Sequence, residues 1–281
     1  AKDGCTIAVA EGTYNEYFSI NNLNITIQGA GVGKSIVNSY DGISYGGITA
    51  NNSNINISGF SFTESNGILL SNSEAIINSN EFYDCVGGCI TLNDNSNATI
   101  EFNQLHNTIG FGIAVTDNSK TTISSNEIYE NSSDGITLQY NNSAVIITSN
   151  KIYSNGGSGI SVLYNSSSTT IASNEIHDHN RHWGIFLSDN SAAEITTNNL
   201  YNNLSDILLF NNSTAIIEEN ILISDIGIYN MSKETIDAAG NSFENDTEYE
   251  IDKYDIYDHG YWDKKKENYT VRCEECGEVN F

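Results

Sequence analysis

The sequence predicts an all-β chain that winds into a parallel β-helix, a solenoid of about ten coils with a C-terminal extension. A phrase of about 23 residues recurs along the chain: Ile-x-x-Asn, an apolar and an aromatic residue, a polar turn, Gly-Ile-x-Leu and an Asn-Ser turn. Its apolar residues alternate with polar ones, as in strands. The phrase is too short and too rich in Asn, Gly and Ser for a pair of helices. Its asparagine recurs at Asn80, Asn103, Asn126, Asn150, Asn174, Asn198 and Asn220.

Alternation predicts three strands in each coil, each pointing one column of apolar side chains into the solenoid. The first column is Ile100, Ile123, Ile147, Ile171 and Ile195; the second is Phe82, Leu105, Ile128, Ile152, Ile176 and Leu200; the third is Ile90, Ile113, Ile136, Ile160, Ile185 and Ile207. Because neighbouring coils lie about 4.8 Å apart, the repeated asparagines are predicted to form a hydrogen-bonded ladder along the axis. Glycine opens the third strand in most repeats, where a bend or a positive φ would favour it, but Cys89 and Asp206 take that place in two repeats.

The start of the chain carries a second signature, Asp-Gly-Cys-Thr-Ile-Ala-Val-Ala-Glu-Gly-Thr-Tyr at 3–14 and Ile-Thr-Ile-Gln-Gly-Ala-Gly at 25–31. With the repeat, these segments resemble the right-handed parallel β-helix of the pectin-lyase-like superfamily, in particular its carbohydrate-binding and sugar-hydrolase repeats, as found in archaeal and bacterial surface proteins. The resemblance covers about residues 4–243, although Glu11 stands where the family usually has proline. It implies a right-handed helix but no single function, because the same coil carries lyases, hydrolases, epimerases and surface proteins.

These features divide the chain into a β-helix at 1–243 and an extension at 244–281. The repeat stops after Phe243, and the extension is rich in tyrosine and charge. The last coil of a solenoid is an open strand edge, which can pair with another chain. We therefore expect the extension to cap that edge or to serve as an assembly surface.

The composition limits the partners that the chain can have. Its net charge of −25 repels nucleic acid. No apolar run reaches the roughly 20 residues that a membrane span needs. Asn-x-Ser/Thr sequons, for example at Asn24, Asn97 and Asn165, would permit N-glycosylation. The composition favours a secreted or cell-surface protein without a membrane span and without a nucleic-acid partner.

Chemically reactive side chains are concentrated in one turn at 177–183, His-Asp-His-Asn-Arg-His-Trp, where one residue is inserted relative to the preceding repeats. A histidine beside an aspartate suits general acid–base catalysis, and His-x-His with Asp suits a metal ion. Arginine beside Trp183 suits a uronic-acid sugar, and the resemblance implies that a basic residue such as Arg181 acts as the base of a lyase. The alternative is a solvent-exposed turn or a subunit contact. The candidate catalytic residues are His177, Asp178, His179, Arg181 and His182.

A column of aromatic residues offers a second candidate site. Its members are Tyr83, His106, Tyr129, Tyr153, His177 and Tyr201, at one place in successive repeats. Such a row could stack against a glycan, with Tyr129, Tyr153 and Tyr201 as candidates beside Trp183, or it could serve only to stabilise neighbouring coils. Asp94 and Asp117 stand at successive turns and are candidates for a Ca²⁺ site, although no cofactor is predicted to be required.

The five cysteines are Cys5, Cys85, Cys89, Cys273 and Cys276. An odd number in a secreted chain indicates a free or an intermolecular thiol. Cys85 and Cys89 could bridge within one coil, and Cys273 and Cys276 could bridge or contribute half of a zinc site. About ten coils place Cys5 roughly 45–50 Å from the last two cysteines, too far for a disulfide within one molecule unless the extension folds back. The cysteines therefore predict polymers locked by disulfides.

The favoured interpretation is an extracellular structural protein of a cell envelope, sheath or surface layer, a homo-oligomer or polymer assembled through the ends of the rod. Regular coils with few insertions count against an enzyme. The alternative is a polysaccharide-active enzyme, a lyase, hydrolase or epimerase, or a glycan-binding adhesin, with its site at 177–183.

Overall fold

The structure, a computed structural model, describes residues 1–38, 47–232, 234 and 236–243, together with strands at 261–263, 270–273 and 277–280. The described chain from Cys5 to Phe243 winds into a right-handed parallel β-solenoid of about 10 turns, as predicted. Each turn contributes one strand to each of three parallel sheets, which we call the first, second and third sheet in the order in which the chain meets them. Among the described residues, no helix is long and apolar enough to cross a membrane.

The strands of the three sheets are short and follow one another at the repeat distance. The first sheet contains Cys5–Ala8, Asn24–Gln28, Asn54–Ser58, Glu74–Asn78, Asn97–Glu101, Lys120–Ser124, Ser143–Thr148, Ser167–Ala172, Ala192–Thr196 and Thr214–Glu218. The second contains Gly12–Tyr14, Ser35–Asn38, Ser61–Thr63, Glu81–Tyr83, Gln104–His106, Glu127–Tyr129, Lys151–Tyr153, Glu175–His177, Asn199–Tyr201, Ile221–Leu222 and Ser242–Phe243. The third contains Phe18–Asn21, Ile48–Asn51, Ile68–Ser71, Ile90–Asn93, Ile113–Thr116, Ile136–Gln139, Ile160–Val162, Trp183–Leu187, Ser205–Phe210 and Ile228–Met231.

Equivalent residues of successive repeats lie directly beside one another, which builds the core. Ile100 pairs with Ile123 in the first sheet, and Ile113 pairs with Ile136 in the third. All seventeen residues of the three predicted inward columns are fully buried. Burying an Ile or Leu side chain stabilises a fold by roughly 1.5–3 kcal/mol, so these columns hold the coils together. The three inward columns predicted from alternation are confirmed.

The predicted asparagine ladder runs along the corner between the first and second sheets. At Asn126, the side-chain oxygen accepts the backbone N–H of Asn103 at 2.9 Å, and Nδ2 donates to the carbonyl of Ile100 at 2.9 Å. The same pattern continues without interruption from Asn80 to Asn241. Each amide therefore satisfies backbone groups that the sharp corner leaves without strand partners.

The corners explain the turn-rich composition. The residue before a ladder asparagine adopts a left-handed backbone, with φ of 55° at Ser125 and 57° at Ser149. L-residues enter this region at a cost that small polar side chains tolerate best. The third-strand glycines have a different reason from the predicted one. Gly67 has a positive φ of 62°, but a Cβ added at Gly135 would lie 2.7 Å from the Ile152 methyl group, so the later glycines are required by close packing.

The extension contributes three antiparallel strands, Tyr261–Asp263, Thr270–Cys273 and Gly277–Asn280. The predicted boundary at 243 agrees with the last parallel strand, Ser242–Phe243. The predicted capping or assembly role depends mainly on residues 244–260 and 264–269, which lie outside the described residues.

Candidate functional site

The turn at 177–183 joins the second sheet to the third and divides the predicted catalytic residues among three environments. His177 lies on the outer face of the second sheet, where its Nδ1 is 2.8 Å from the Asp178 carboxylate. Burial raises the pKa of Asp178, but hydrogen bonds from His177 and Asn202 outweigh it and leave the pKa below its usual range. This is the geometry of an acid–base pair. The other ring nitrogen of His177 is buried without a partner, so it does not face a substrate.

His179 points into the solenoid and is 1% exposed. Its Nδ1 lies 3.0 Å from the side-chain oxygen of Asn203, and its Nε2 lies 3.3 Å from Nδ2 of Asn155. Burial lowers the pKa of His179 to about 4, although the hydrogen bond to Asn203 opposes the shift. His179 therefore takes the place of an asparagine in a second internal ladder, which includes Asn131, and it cannot reach a substrate outside the rod.

The end of the turn faces solvent. Arg181 is exposed, and His182 and Trp183 are half-buried. The His182 ring meets Trp183 edge-on with ring centroids 6.1 Å apart, and Trp183 packs against Phe186 with centroids 4.6 Å apart. Asn180 is exposed as well and Asp178 is partly exposed, so a bound molecule can touch the turn at Asp178 and from Asn180 to Trp183.

Asp134 lies beside this group, although the sequence did not indicate it. It precedes Gly135 at the place that Ser158 and Trp183 take in the next two coils. Its carboxylate accepts the backbone N–H of Ser158 at 2.8 Å. Burial raises the pKa of Asp134, while the Ser158 N–H, the Ser161 hydroxyl and the nearby His182 oppose the rise. A carboxyl group with a raised pKa is a candidate proton donor.

The outer side of the third sheet next to Asp134 has a floor of small polar residues. We call the outward surface of Ile136–Gln139, Ile160–Val162 and Trp183–Leu187 the third-sheet face. Thr137 and Ser161 point outward from it but are 0% and 2% exposed, because the side chains around them cover them.

Two tyrosines border the opposite edge of the third-sheet face. Tyr140 and Tyr164 stack with ring centroids 5.1 Å apart and are 47% and 42% exposed. Trp183 borders the other side and packs against Phe186, which lies in the row of Thr137 and Ser161. Aromatic rings on both borders provide apolar surface on which sugar rings can lie, and the partly exposed Asp134 adds a polar group beside it.

The predicted aromatic column is a continuous stack on the second sheet. Ring centroids are 4.8 Å apart from His106 to Tyr129, 4.9 Å from Tyr129 to Tyr153, and 4.5 Å from His177 to Tyr201. Within the stack, ring faces are covered by neighbouring rings, so a sugar meets ring edges and hydroxyl groups there. Structural stacking accounts for this geometry, and glycan binding by Tyr129, Tyr153 and Tyr201 stays a prediction.

The hydroxyl groups of the column are already engaged. Tyr153 donates to Glu127 at 3.0 Å, and Tyr201 donates to Glu175 at 2.7 Å. Burial and the hydrogen bond to Glu175 raise the pKa of Tyr201 to about 12, and burial with the bond to Glu127 raises the pKa of Tyr153 as well. Both phenols therefore stay protonated and serve as hydrogen-bond donors within the column.

The predicted metal and cysteine sites are spread along the rod. Within the described ranges, no group of three or more His, Cys, Asp or Glu side chains could hold a metal ion. Asp94 and Asp117 lie in exposed turns, where Asp117 accepts the Thr116 hydroxyl at 2.7 Å and Asp94 accepts that of Ser71 at 2.5 Å. A Ca²⁺ ion at Asp94 and Asp117 would need further oxygen ligands from elsewhere.

Cys5 is a partly exposed free thiol, whereas Cys85 and Cys89 are free thiols that are fully buried. Burial raises the pKa of Cys89 well above its usual value, and a hydrogen bond to Cys85 adds to the rise. Thiols buried in this way cannot meet another molecule in the folded rod. The side chains of Cys273 and Cys276 lie outside the described residues, and intermolecular disulfides stay a prediction that depends on them and on Cys5.

Comparison with known proteins identifies the fold family. A model described as "Right handed beta helix region" matches residues 5–143, 41–182 and 112–248, which together cover most of the chain. The chain belongs to the right-handed β-helix family. No curated protein sequence matches it.

Three solved structures share the β-helix fold. An alginate lyase from Paenibacillus sp. str. FPU-7 has a TM-score of 0.65 at 18% identity, over 86% of this chain and 93% of that chain. The periplasmic alginate epimerase AlgG has a TM-score of 0.60 at 16% identity, over 85% and 76%. A DFA-IIIase from Arthrobacter chlorophenolicus A6 has a TM-score of 0.58 at 12% identity, over 85% and 77%. At these identities the likeness establishes the fold alone.

Four residues on or beside this β-helix protein's third-sheet face lay outside the sequence-based candidates, namely Asp134, Tyr140, Tyr164 and Phe186. Comparison between repeats holds a signal for two of them. Phe186 stands where the two preceding coils have Ser161 and Thr137. Tyr140 stands where the coil before it has Asp117. Aromatic residues at positions where neighbouring coils have small or acidic residues indicate that the surface of these coils differs from that of the rest of the rod.

Proposed function

We propose that this β-helix protein binds a polysaccharide on its third-sheet face and acts on it by acid–base chemistry. The observation that carries the proposal is the placement of Asp134, held by Ser158 and Ser161, beside the third-sheet face that the half-buried ring of Trp183 and the exposed ring of Tyr140 border. Aromatic rings bind the apolar faces of sugars, while few but well-placed polar groups fix their orientation.

Asp134 and His182 provide the chemistry in this proposal. Burial favours the protonated form of Asp134, so Asp134 can donate a proton to a leaving oxygen. His182 is half-buried, lies close enough for its charge to influence Asp134, and contacts Trp183 at its edge. Asp134 thus serves as a proton donor, with His182 as a second titratable group, beside the Trp183 ring on which a sugar can stack.

The comparisons support a carbohydrate function over the envelope function favoured by the sequence. The matching structures are named as an alginate lyase, an alginate epimerase and a DFA-IIIase, one of them periplasmic. This supports a place outside the cytoplasm, in agreement with the sequons in exposed turns such as those at Asn141 and Asn165.

A panel of soluble polysaccharides tests the proposal. Wild-type protein is incubated with each, and new chain ends are measured by a reducing-end assay and mass spectrometry. Asp134→Asn is expected to lower turnover by about 10²-fold or more, the usual contribution of a positioned acid. Glu194→Gln, the same change at an exposed carboxylate of the first sheet, serves as the matched control. Equal activity of Asp134→Asn and wild type would contradict the assignment of Asp134.

Self-assembly as a sheath or surface layer stays a second prediction. Cys5, partly exposed in the first strand, is the described thiol that can take part. Gel electrophoresis and electron microscopy with and without reductant test it. Polymers that persist in Cys5→Ser would show that Cys5 is not the link.

A further inference from the structure

We infer that the glycan on the third-sheet face is built of sugars without acidic groups. This inference rests on the proposed function and names its substrate class. It departs from the alginate named for two of the matching structures, since alginate is a polymer of uronic acids.

Acidic side chains frame the third-sheet face along the axis. Backbone hydrogen bonds link Asn118 to Tyr140, Asn141 to Tyr164 and Asn165 to Asp189, which places these turns in one column. Asp117, which precedes Asn118, and Asp189 therefore flank the Tyr140–Tyr164 pair, one coil to each side.

The opposite edge carries Asp134, whose raised pKa favours its uncharged form. A carboxylated sugar beside the Tyr140–Tyr164 pair would therefore meet the carboxylates of Asp117 and Asp189. Like charges a few ångströms apart repel each other, and the chain's net charge of −25 adds a long-range repulsion of any polyanion.

Recognition of sugar carboxylates calls for arginine or lysine in paired geometry. Arg181 is the arginine of this turn and is exposed at its tip. Lys151 lies on the second sheet, with its ammonium group 4.9 Å from the centroid of the Tyr153 ring. The described strands of the third-sheet face thus carry no arginine or lysine, and Arg181, at the exposed tip of the turn before Trp183, is a single cation without a second one to form a clamp.

The groups on the face suit uncharged sugars. The Trp183–Phe186 and Tyr140–Tyr164 rings offer apolar surface for the C–H faces of sugar rings. The oxygen atoms of Asp134 and Asp189 accept hydrogen bonds, here from Ser158 and Asn211, and can accept them from sugar hydroxyls. Neutral sugars thus gain contacts where uronates are repelled.

The substrate class limits the reaction. Elimination and C5 epimerisation both begin with removal of a proton next to a sugar carboxylate, and a neutral sugar lacks that group. Hydrolysis remains, with water as the co-reactant. The glycosidic C–O bond breaks, Asp134 gives its proton to the leaving oxygen, the water oxygen bonds to the anomeric carbon, and the water proton passes to His182.

Equilibrium binding at low and high salt tests the inference. The probes are neutral xylan, galactan, mannan and glucan oligosaccharides, compared with alginate and polygalacturonate oligosaccharides. At least one neutral probe is expected to bind tenfold or more tightly than either uronate, with little dependence on salt. Trp183→Ala is expected to abolish this binding, while Trp183→Phe keeps part of it. Tyr17→Phe, at an exposed tyrosine of the first coil, leaves it unchanged.

A charge reversal sharpens the result. The double variant Asp117→Lys with Asp189→Lys is expected to raise uronate binding tenfold or more and to leave neutral binding within threefold. Uronate binding by wild type that equals neutral binding and is lost in Trp183→Ala would overturn the inference but keep the proposed function. Failure of every probe to bind would overturn both.

Discussion

Two buried titratable residues of opposite type lie in one internal network, and their effects on stability are predicted to oppose each other. Asn203 joins them, because its oxygen lies 3.0 Å from His179 and its Nδ2 donates to Asp206 at 2.9 Å. Burial raises the pKa of Asp206 to about 7, although hydrogen bonds from Ser224 and Asn203 lower it in part. The pKa of His179 is lowered to about 4. The perturbations are His179→Asn and Asp206→Asn.

The sign for each residue follows from which state holds the proton. The unfolded chain protonates His179 near pH 6.5 but the folded chain only near pH 4, so His179 costs stability as pH falls between them. The folded chain holds the Asp206 proton up to about pH 7, so Asp206 costs stability as pH rises from about 4 to 7. Between pH 4 and 6.5, folding moves one proton from His179 to Asp206, and the two slopes cancel.

The magnitudes follow from the pKa values. At His179 the pKa falls from 6.5 in the unfolded chain to about 4 in the folded chain, which corresponds to about 3 kcal/mol of unfolding free energy. At Asp206 the pKa rises from 3.8 to about 7, which corresponds to about 4 kcal/mol. From pH 7 to pH 4, His179→Asn should therefore gain about 3 kcal/mol of unfolding free energy relative to wild type. Asp206→Asn should lose about 4 kcal/mol relative to wild type over the same range.

Urea denaturation at half-unit intervals between pH 4 and 8, followed by circular dichroism, measures these differences. The comparison of each variant with wild type cancels the titration of the many surface carboxylates. Plots of unfolding free energy against pH that run parallel for variant and wild type would refute the reasoning. Each residue would then bind its proton equally well in the folded and the unfolded chain. The double variant should restore the wild-type slope.

Three further changes test the architecture. Asn150→Ala removes an amide that donates to the Ile123 carbonyl at 2.8 Å and accepts the backbone N–H of Asn126 in the preceding coil. It should cost about 3 kcal/mol of unfolding free energy in urea titrations, against under about 0.5 kcal/mol for Asn97→Ala at an exposed strand position. Gly135→Ala forces a Cβ to within 2.8 Å of a backbone oxygen and should lower the melting temperature by several degrees, and an unchanged value would contradict the packing argument. Tyr153→Phe keeps the ring stack and should cost about 1 kcal/mol by urea titration, whereas a cost near zero would show that the bond to Glu127 contributes nothing.

The repeat made the fold predictable, because successive coils have the same pattern of inward apolar residues, corner asparagine and polar turns. The apolar columns and the ladder from Asn80 follow from a period of 22 to 24 residues, and the structure confirms both. The same period also places His179, since it stands 24 residues after Asn155 and 24 before Asn203. Its inward position was therefore available from spacing, although its neighbours at 177–183 suggested a catalytic group.

The third-sheet face was harder to predict, because it depends on differences between coils. Asp134 and Trp183 are 49 residues apart in the sequence and lie along one edge of the third sheet, with the coil of Ser158 stacked between them. The hydrogen bonds that hold the Asp134 carboxyl group come from Ser158 and Ser161 of the following coil. Contacts of this kind become visible only when the register of the coils is known.

A crystal structure of the chain with a bound oligosaccharide tests the central claim most directly, with the neutral oligosaccharide that binds best in solution as the ligand. The account predicts sugar rings on the Trp183–Phe186 pair, with a glycosidic oxygen within hydrogen-bond distance of Asp134. Sugar bound along the second-sheet column at Tyr129 and Tyr153, with the third-sheet face empty, would contradict it.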